Sequence, residues 1–388
     1  MQQSKNKTIR ILAIESSCDE TAASVIEEID GKPVVRSNVI SSQVDLHAKT
    51  GGVVPEVASR AHMEAINPVI ALALLEANNA QAADNLENAD LNIGAESYQE
   101  AIRLFAKITH IAVTAGPGLV GSLLVGFNAA KTLSYTQKLP IVAVNHIEGH
   151  IYSGLVNLSS DEIKFPLLAL TVSGGHTSLT LMLDHGKYEQ LGQTLDDAVG
   201  EAYDKVAKLL NLGYPGGPII SKLAQEFRNE FSNKAIDCSP IVFPRPIIND
   251  GSSNFSFSGL KTAVLQKVIN LRKETADDLT MSQKIGIAAA FEESVADVLC
   301  TKTRRAIEQH QPKSVIFAGG VSANPYLASR LKQMIDEFDR EIIFLNPERK
   351  MTGDNAAMIG IAAYYHIQNN EISEWDEIKV DSNWELVQ

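Results

Sequence analysis

The sequence predicts an α/β fold built as two similar halves, and three observations predict it. Short β-branched runs alternate with helical patterns along the chain. A strand, a polar turn and a second strand recur, at residues 9–28 and again at 165–183, as internal duplication would produce. A strand, a glycine turn and a helix also recur, at 108–135 and at 314–335. With 388 residues and 45% hydrophobic composition, the chain suffices for two domains, each with its own core.

Taken in order, "IRILAIESS" enters the turn "SCDET" and leaves through "AASVIEE". From Ala77 to Tyr98 the composition shifts to Ala, Asn, Asp and Glu without a hydrophobic face, which predicts an exposed acidic insertion over about 77–105. "ITHIAV" reads as a strand, Gly116 to Gly118 as a turn, and the run to Tyr135 as a helix. "PIVAVN" is a further strand, followed directly by "HIEGH". The second hairpin, "FPLLALTVS", "GGHT", "SLTLML", opens the other half. In "DDAVGEAYDKVAKLL", Val199, Tyr203, Val206 and Leu210 form one apolar stripe with Asp197, Glu201 and Asp204 opposite, an amphipathic helix. "MTGDNAAMIGIAAYYH" opens an Ala-rich terminal helix. The expected domains are an N-terminal lobe of 8–155, joined by a C-terminal helix over about 355–388, and a C-terminal lobe of 160–354.

The net charge of −13 argues against a protein that grips nucleic acid by bulk positive charge, so such a partner needs a local patch. Cys18, Cys238 and Cys300 are odd in number and far apart, unlike a secreted disulfide framework, and point to a reducing compartment. Glu15 interrupts the first apolar run, and no run approaches the roughly 18 apolar residues of a membrane span. The expectation is a cytoplasmic protein without a membrane partner.

Glycine turns after strands let backbone N–H groups approach phosphate oxygens with no Cβ in the way. Candidates are Gly116/Gly118/Gly121, Ser173/Gly174/Gly175, Gly319/Gly320 and the "YPGGP" turn at Gly216/Gly217. None fits GxxxxGK[ST] or GxGxxG, which disfavours P-loop and Rossmann readings and leaves a nucleotide-phosphate site or plain tight turns.

"HIEGH" resembles the HExxH of zinc proteases. His146 and His150, four apart, share a helix face and can hold one metal ion. The glutamate of HExxH follows the first histidine, whereas here Ile147 does, and Glu148 points about 200° away around a 3.6-residue helix. The protease reading loses its general base, and Gly149 weakens the helix. A carboxylate partner is Asp354, whose other reading is a helix N-cap. Two histidines and one aspartate leave positions open for water or substrate, as a catalytic site requires. The histidines read equally as satisfied polar groups at a helix start.

The runs "IESSCDETAASV", "HAKTGGVVPEVASRAH", "TAGPGLVGSLLVG", "NHIEGH", "VSGGHTSL", "YPGGP", "FSFSGLK", "AGGVSAN" and "TGDNAAMIG" stand in an order that resembles the bacterial TsaD family, over about residues 9–367. The resemblance implies a two-lobed actin-like ATPase fold (Hsp70 and sugar-kinase type), with duplicated RNase H-like domains around a cleft. It implies transfer of threonylcarbamoyl from threonylcarbamoyl-AMP to N6 of adenosine 37 in ANN-decoding tRNAs, forming t6A. Carried over residue by residue, His146, His150 and Asp354 match metal ligands for one divalent ion, iron or zinc. Thr171, Val172, Ser173, Gly174, Gly175, Asp204, Gly217, Ser221 and Asn324 match positions that bind the adenylate, or ATP/ADP in the same place. Asp19 and Glu20 match acidic residues of catalysis, and Asp19 is a candidate general base. Implied partners are the tRNA, TsaB and TsaE homologues, and a TsaC or Sua5 enzyme that makes the adenylate. The alternatives are an ATPase or kinase of the same fold and a metallopeptidase. Cys18 reads as a buried cysteine rather than a nucleophile, and of His47, His62 and His176 the last lies nearest a candidate ligand turn.

Overall fold

The first apolar run folds as a central strand because it is buried from Ile11 to Glu15. A computed structural model of the chain describes residues 8–79, 86–87, 91–156, 158–159, 162–232, 241–275 and 278–387. Cys238 and positions 80–85 and 88–90 of the expected insertion lie outside them. The chain divides into two compact units, Met1–Ile163 with Pro347–Gln388, and Lys164–Asn346.

In the first unit, β1 (Arg10–Glu15), β2 (Glu20–Ile29) and β3 (Lys32–Ser42) form an antiparallel meander. There follow α1 (Val44–Ala48), α2 (Pro55–Glu76), β4 (Leu86–Glu87), α3 (Ala95–Phe105), β5 (His110–Gly116), α4 (Val120–Gln137), β6 (Ile141–Asn145) and α5 (His146–Ser153). The sheet order is β4-β3-β2-β1-β5-β6, with β5 parallel to β1 and β6 parallel to β5. The second unit repeats the plan. β7 (Leu167–Val172), β8 (Thr177–Asp184) and β9 (Lys187–Gln193) form its meander, and α6 (Val199–Leu209), α7 (Gly216–Ser232), α8 (Ser258–Thr275), α9 (Met281–His310), β10 (Ser314–Ala318), α10 (Pro325–Asp336) and β11 (Ile343–Leu345) follow. Its order is β11-β10-β7-β8-β9, with β10 parallel to β7 and β11 to β10. Each unit thus lays a three-stranded meander beside two parallel strands, the duplicated RNase H-like plan of the actin-like fold. The chain then returns to the first unit as α11 (Ala356–Gln368), which lies against β1 and β2. Both hairpins stand where the sequence has them. Their third strands, β3 and β9, escaped it, although the Asp30-Gly31 turn, with φ of 52° and 74°, was a hairpin signal in plain view.

Four expectations are corrected. Residues 95–105 are not an exposed acidic stretch, because α3 buries Ala101, Leu104 and Phe105 in the core of the first unit. Their i, i+3, i+4 spacing continues to Ile108 and was the missed signal. The terminal helix stops at Gln368 rather than continuing to 388. Beyond it Ser373 bridges to Ile141, and the Asp381 N–H donates to the Ala115 carbonyl at 2.9 Å. That tail takes over the first candidate phosphate turn: a Cβ on Gly116 would lie 1.7 Å from the Asp381 carbonyl oxygen. Gly116 therefore admits the chain's own backbone. Residues 347–354 group with the first unit, where Asn38 of β3 donates to Asn355 Oδ1 at 3.5 Å.

Candidate functional site

Asn145 ends β6 and caps α5: its Oδ1 accepts from the N–H groups of Ile147 at 2.9 Å and Glu148 at 3.4 Å, while its Nδ2 donates to the Trp384 carbonyl. The capped helix starts at His146 and places His146 and His150 one turn apart, both buried. Gly149 does not unravel it. A Cβ there would sit 2.7 Å from Ile359 Cδ1, so its absence lets α5 and α11 pack closely, just beyond Asp354. The cap of α11 is Asn355, whose Oδ1 accepts from the Met358 N–H at 3.1 Å. Asp354 is thus not the N-cap. Its Oδ1 lies 3.2 Å from His150 Nε2 and 3.6 Å from His146 Nε2, and one potential ligand atom from each of the three residues lies within 4.8 Å of the others.

The chemistry of this donor set fits a metal ion. Neither ring nitrogen of the fully buried His150 makes a hydrogen bond among the described residues, although Nε2 faces Asp354. On His146, Nδ1 is 3.1 Å from both Glu15 Oε2 and Ser17 Oγ, leaving Nε2 turned to Asp354. Glu15 is itself held: the Ser17 N–H donates to Oε1 and the Thr114 hydroxyl to Oε2, each at 2.5 Å. Such a carboxylate–histidine pair fixes ring tautomer and orientation behind metal ligands. Burial works against a charged His146, but Asp354 and Glu15 outweigh it and hold the imidazole up at about 9. The field there favours an added cation. Glu15 carries no motif spacing relative to "HIEGH" and was missed by sequence reasoning; only its place in an apolar strand hinted at it.

Glu148 faces elsewhere, with Oε2 2.9 Å from His366 Nε2. The peptidase reading therefore has no general base from this motif.

Asp19 and Glu20 sit at the β1–β2 turn. Ser42 Oγ donates to Glu20 Oε1 at 3.2 Å, and burial, with the carboxylates of Asp19 and Asp354, pushes the Glu20 carboxyl well above its usual range. Glu20 and Asp354 line one cavity of about 310 Å³. His62 braces the turn, Nδ1 2.7 Å from Thr21 Oγ1 and Nε2 3.0 Å from the Cys18 carbonyl oxygen, and His47 lies 3.2 Å from Gln43 Oε1. Burial pushes the Cys18 thiol up, in keeping with an unreactive cysteine.

The remaining candidates belong to the second unit. Thr171 and Val172 end β7, and Ser173, Gly174 and Gly175 form the turn to β8. Gly174 and Gly175 are exposed, and a Cβ on either would meet no atom within 4 Å. Neighbouring glycines close around this turn: a Cβ on Gly200 would meet the Ser173 carbonyl oxygen at 2.6 Å, and one on Gly319, at φ 88°, the Val172 oxygen at 2.4 Å. Val199, Tyr203, Val206 and Leu210 are buried as the stripe predicts. Asp204 Oδ1 accepts from the Gly216 N–H at 2.7 Å, setting the start of α7 that carries Gly217 and Ser221. Asp197 is no solvated acid, for it pairs with Lys205 at 2.8 Å and Lys261 at 3.2 Å. Asn324 caps α10 through Oδ1 and donates from Nδ2 to the buried Glu292 at 2.7 Å. Its side chain is spent on structure, and its backbone is paired as well, the N–H donating to the Val321 carbonyl at 3.0 Å and the carbonyl accepting from the Ala328 N–H at 3.1 Å. His176 donates its N–H to Ser173 Oγ at 3.2 Å.

Topology and site together define a class: an enzyme of the duplicated RNase H-like fold that carries a His/His/Asp cluster with both histidines buried. Solved structures of HypF share this fold, one in a phosphate- and nucleotide-bound form (TM-score 0.54, 13% identity, covering 96% of this chain and 48% of that one). The other, from T. kodakarensis, has TM-score 0.55 at 12% identity, covering 96% and 50%. This chain spans about half of their length. The family described as "TsaD: tRNA N6-adenosine threonylcarbamoyltransferase" matches residues 34–85 and 80–361. Relatives bearing that enzyme name include those of Geobacillus thermodenitrificans (46% identical over 357 residues, 92% of this chain and 91% of theirs) and Bacillus subtilis (44% over 362, 92% and 91%). That of Listeria innocua is 45% identical over 372 residues, 95% of each chain. The chain belongs to the TsaD family, and so to the transferases that modify tRNA.

Proposed function

We propose that this chain transfers the threonylcarbamoyl group of threonylcarbamoyl-AMP to N6 of adenosine 37 in ANN-decoding tRNAs, forming t6A and releasing AMP. Family membership supplies the reaction, and the observation that carries its placement is the cavity shared by Glu20 and Asp354, beside the histidine pair. N6 attacks the carbamoyl carbonyl carbon, the bond from that carbon to the phosphate oxygen breaks, and AMP departs with the electron pair. The N6 proton passes to a carboxylate. Asp19 and Glu20 are proposed for this role, Glu20 lining the cavity with Asp354 and its carboxyl pushed above its usual range by burial and by the carboxylates of Asp19 and Asp354.

His146, His150 and Asp354 would hold one divalent ion, iron or zinc, which when bound supplies Lewis-acid stabilisation of charge developing on the donor. Glu15 keeps His146 in the tautomer that offers Nε2. In the second unit the exposed backbone of Gly174 and Gly175 would receive the donor phosphate, with Thr171, Val172 and the buried Ser173, whose N–H donates to the His176 carbonyl at 2.8 Å, fixing the turn. Asp204 and Ser221 would meet the ribose, Gly217 and Asn324 would border the rest of the nucleotide, and ATP or ADP would fit the same place. The net charge of −13 is best reconciled with a tRNA substrate if cations come from partners, for which TsaB and TsaE homologues are proposed, with a TsaC or Sua5 enzyme supplying the adenylate in the cytoplasm.

The test is transfer of labelled threonine from pre-formed adenylate to an ANN-decoding tRNA, in the presence of TsaB and TsaE, with Asp354→Ala alongside. Incorporation by the wild type and its loss in the variant is the expected result. Absence of wild-type incorporation, with partners active beside another TsaD, would overturn the reading.

A further inference from the structure

We propose that Arg349 and Lys350 form a phosphate-binding rim on the cavity of the first unit, and that the phosphate they take is that of the tRNA backbone flanking the acceptor adenosine. This rests on the transferase reading above. The cavity, of about 310 Å³, is lined by Glu20, Ser42, Asp45, Arg349, Lys350 and Asp354 among others. That volume is at the low end for ligand pockets, which span roughly 300–1,000 Å³, and suits one nucleoside rather than a stretch of polymer.

Its charges are divided. Glu20, Asp45 and Asp354 contribute carboxyl groups, which alone would repel any phosphorylated ligand. Against them stand Arg349 and Lys350, both exposed. The Arg349 guanidinium has no hydrogen-bond or ion-pair partner among the described residues, and Lys350 Nζ lies 3.3 Å from the exposed Glu348. In a chain of net charge −13, two adjacent cations at the mouth of an acidic cavity have a specific use, for they admit a polyanion there.

The rim is also well anchored. Arg349–Met351 form a single 3-10 turn, Met351 is buried, and the Thr352 hydroxyl donates to the Arg349 carbonyl at 2.8 Å. Shortly after it comes Asp354 of the metal cluster, so a phosphate on the rim would fix its nucleoside in register with that cluster. The donor phosphate already has candidate amides in the second unit, which leaves this rim to the acceptor.

The experiment measures steady-state transfer at several salt concentrations with wild type, the double variant Arg349→Gln/Lys350→Gln and the charge-preserving Arg349→Lys/Lys350→Arg. Expected for the Gln variant is a rise in KM for tRNA of about tenfold near 0.15 M salt. The slope of log KM against log salt should also fall by about 1 for each cation removed. KM for the adenylate should stay in place, and the charge-preserving variant should follow the wild type. An unchanged KM for tRNA and salt slope overturns the proposal. A rise in KM for the adenylate instead also overturns it, by giving the rim to the donor phosphate. Failure of the wild type to transfer at all would strike the transferase reading and is seen separately.

Discussion

Glu15 has no exposure to solvent, yet it is surrounded by donors: the Ser17 N–H, the Thr114 hydroxyl and the His146 ring. Burial alone would raise its pKa, but His146 overrides that and holds it down as a carboxylate. Its work is to orient an imidazole, and loss of such a partner typically costs 10–100-fold in metal affinity. Glu15→Gln is therefore expected to weaken metal binding by about that factor in a chelator competition, with circular dichroism unchanged. Unaltered affinity would reduce Glu15 to a structural buried acid. Asn355 separates two roles that the sequence left joined on Asp354. As the cap of α11 it is worth about 1 kcal/mol, so Asn355→Ala should lower stability by about that amount in denaturant titration. Asp354→Ala should cost less stability and abolish metal binding. The reverse ranking would show that Asp354 is the structural residue.

Helices α5 and α11 meet through a missing side chain and a part-buried polar pair. Gly149→Val would drive branched carbons into Ile359 and Met358, and overpacking of this kind costs about 1–3 kcal/mol. Thermal unfolding should register it, and an unchanged Tm would mean that the helices separate freely. The polar pair is Glu148 with His366. Burial works against a charged His366, but hydrogen bonds and charge from Glu148 and Glu371 prevail and raise it from 6.5 to about 9. A group raised on folding lends stability that is complete below its unfolded pKa and fades as pH climbs through the folded one. Stability should thus fall between about pH 6.5 and 9 in wild type, and His366→Gln should flatten that decline. A variant with the wild-type slope would place the titrating group elsewhere.

Both units carry large apolar cores of their own, and all three candidate metal ligands belong to the first. His146, His150 and Asp354 are brought together by helix packing and caps, from which the fold is expected to stand without an ion. Chelation is expected to leave far-UV circular dichroism intact while abolishing transfer. Adding the metal back should raise Tm with its concentration, by about 2.7 kcal/mol of added stability at 100 times Kd. Loss of helix on chelation would make the site structural instead. Charge is also a property of the whole: at −13, affinity for tRNA must come from local cations or from partner subunits.

By itself the sequence determined what short range decides. Two hairpins, the amphipathic stripe of α6 and a histidine pair on one helical face follow from periods of two and 3.6 residues, and need no distant contact. The Asp30-Gly31 turn and the apolar face of α3 are short-range signals of the same kind. The tertiary structure alone decided which side chains meet. Gly116 takes the chain's own tail, Asn324 takes a cap and Glu292, and Asn355 takes the cap expected of Asp354. Glu15 meets His146 because β1 runs near the start of α5, and Glu20 shares a cavity with Asp354 because the chain returns to the first unit after Asn346. These meetings depend on how close two backbones can come, and a side chain missing at Gly149 governs that as much as any side chain present.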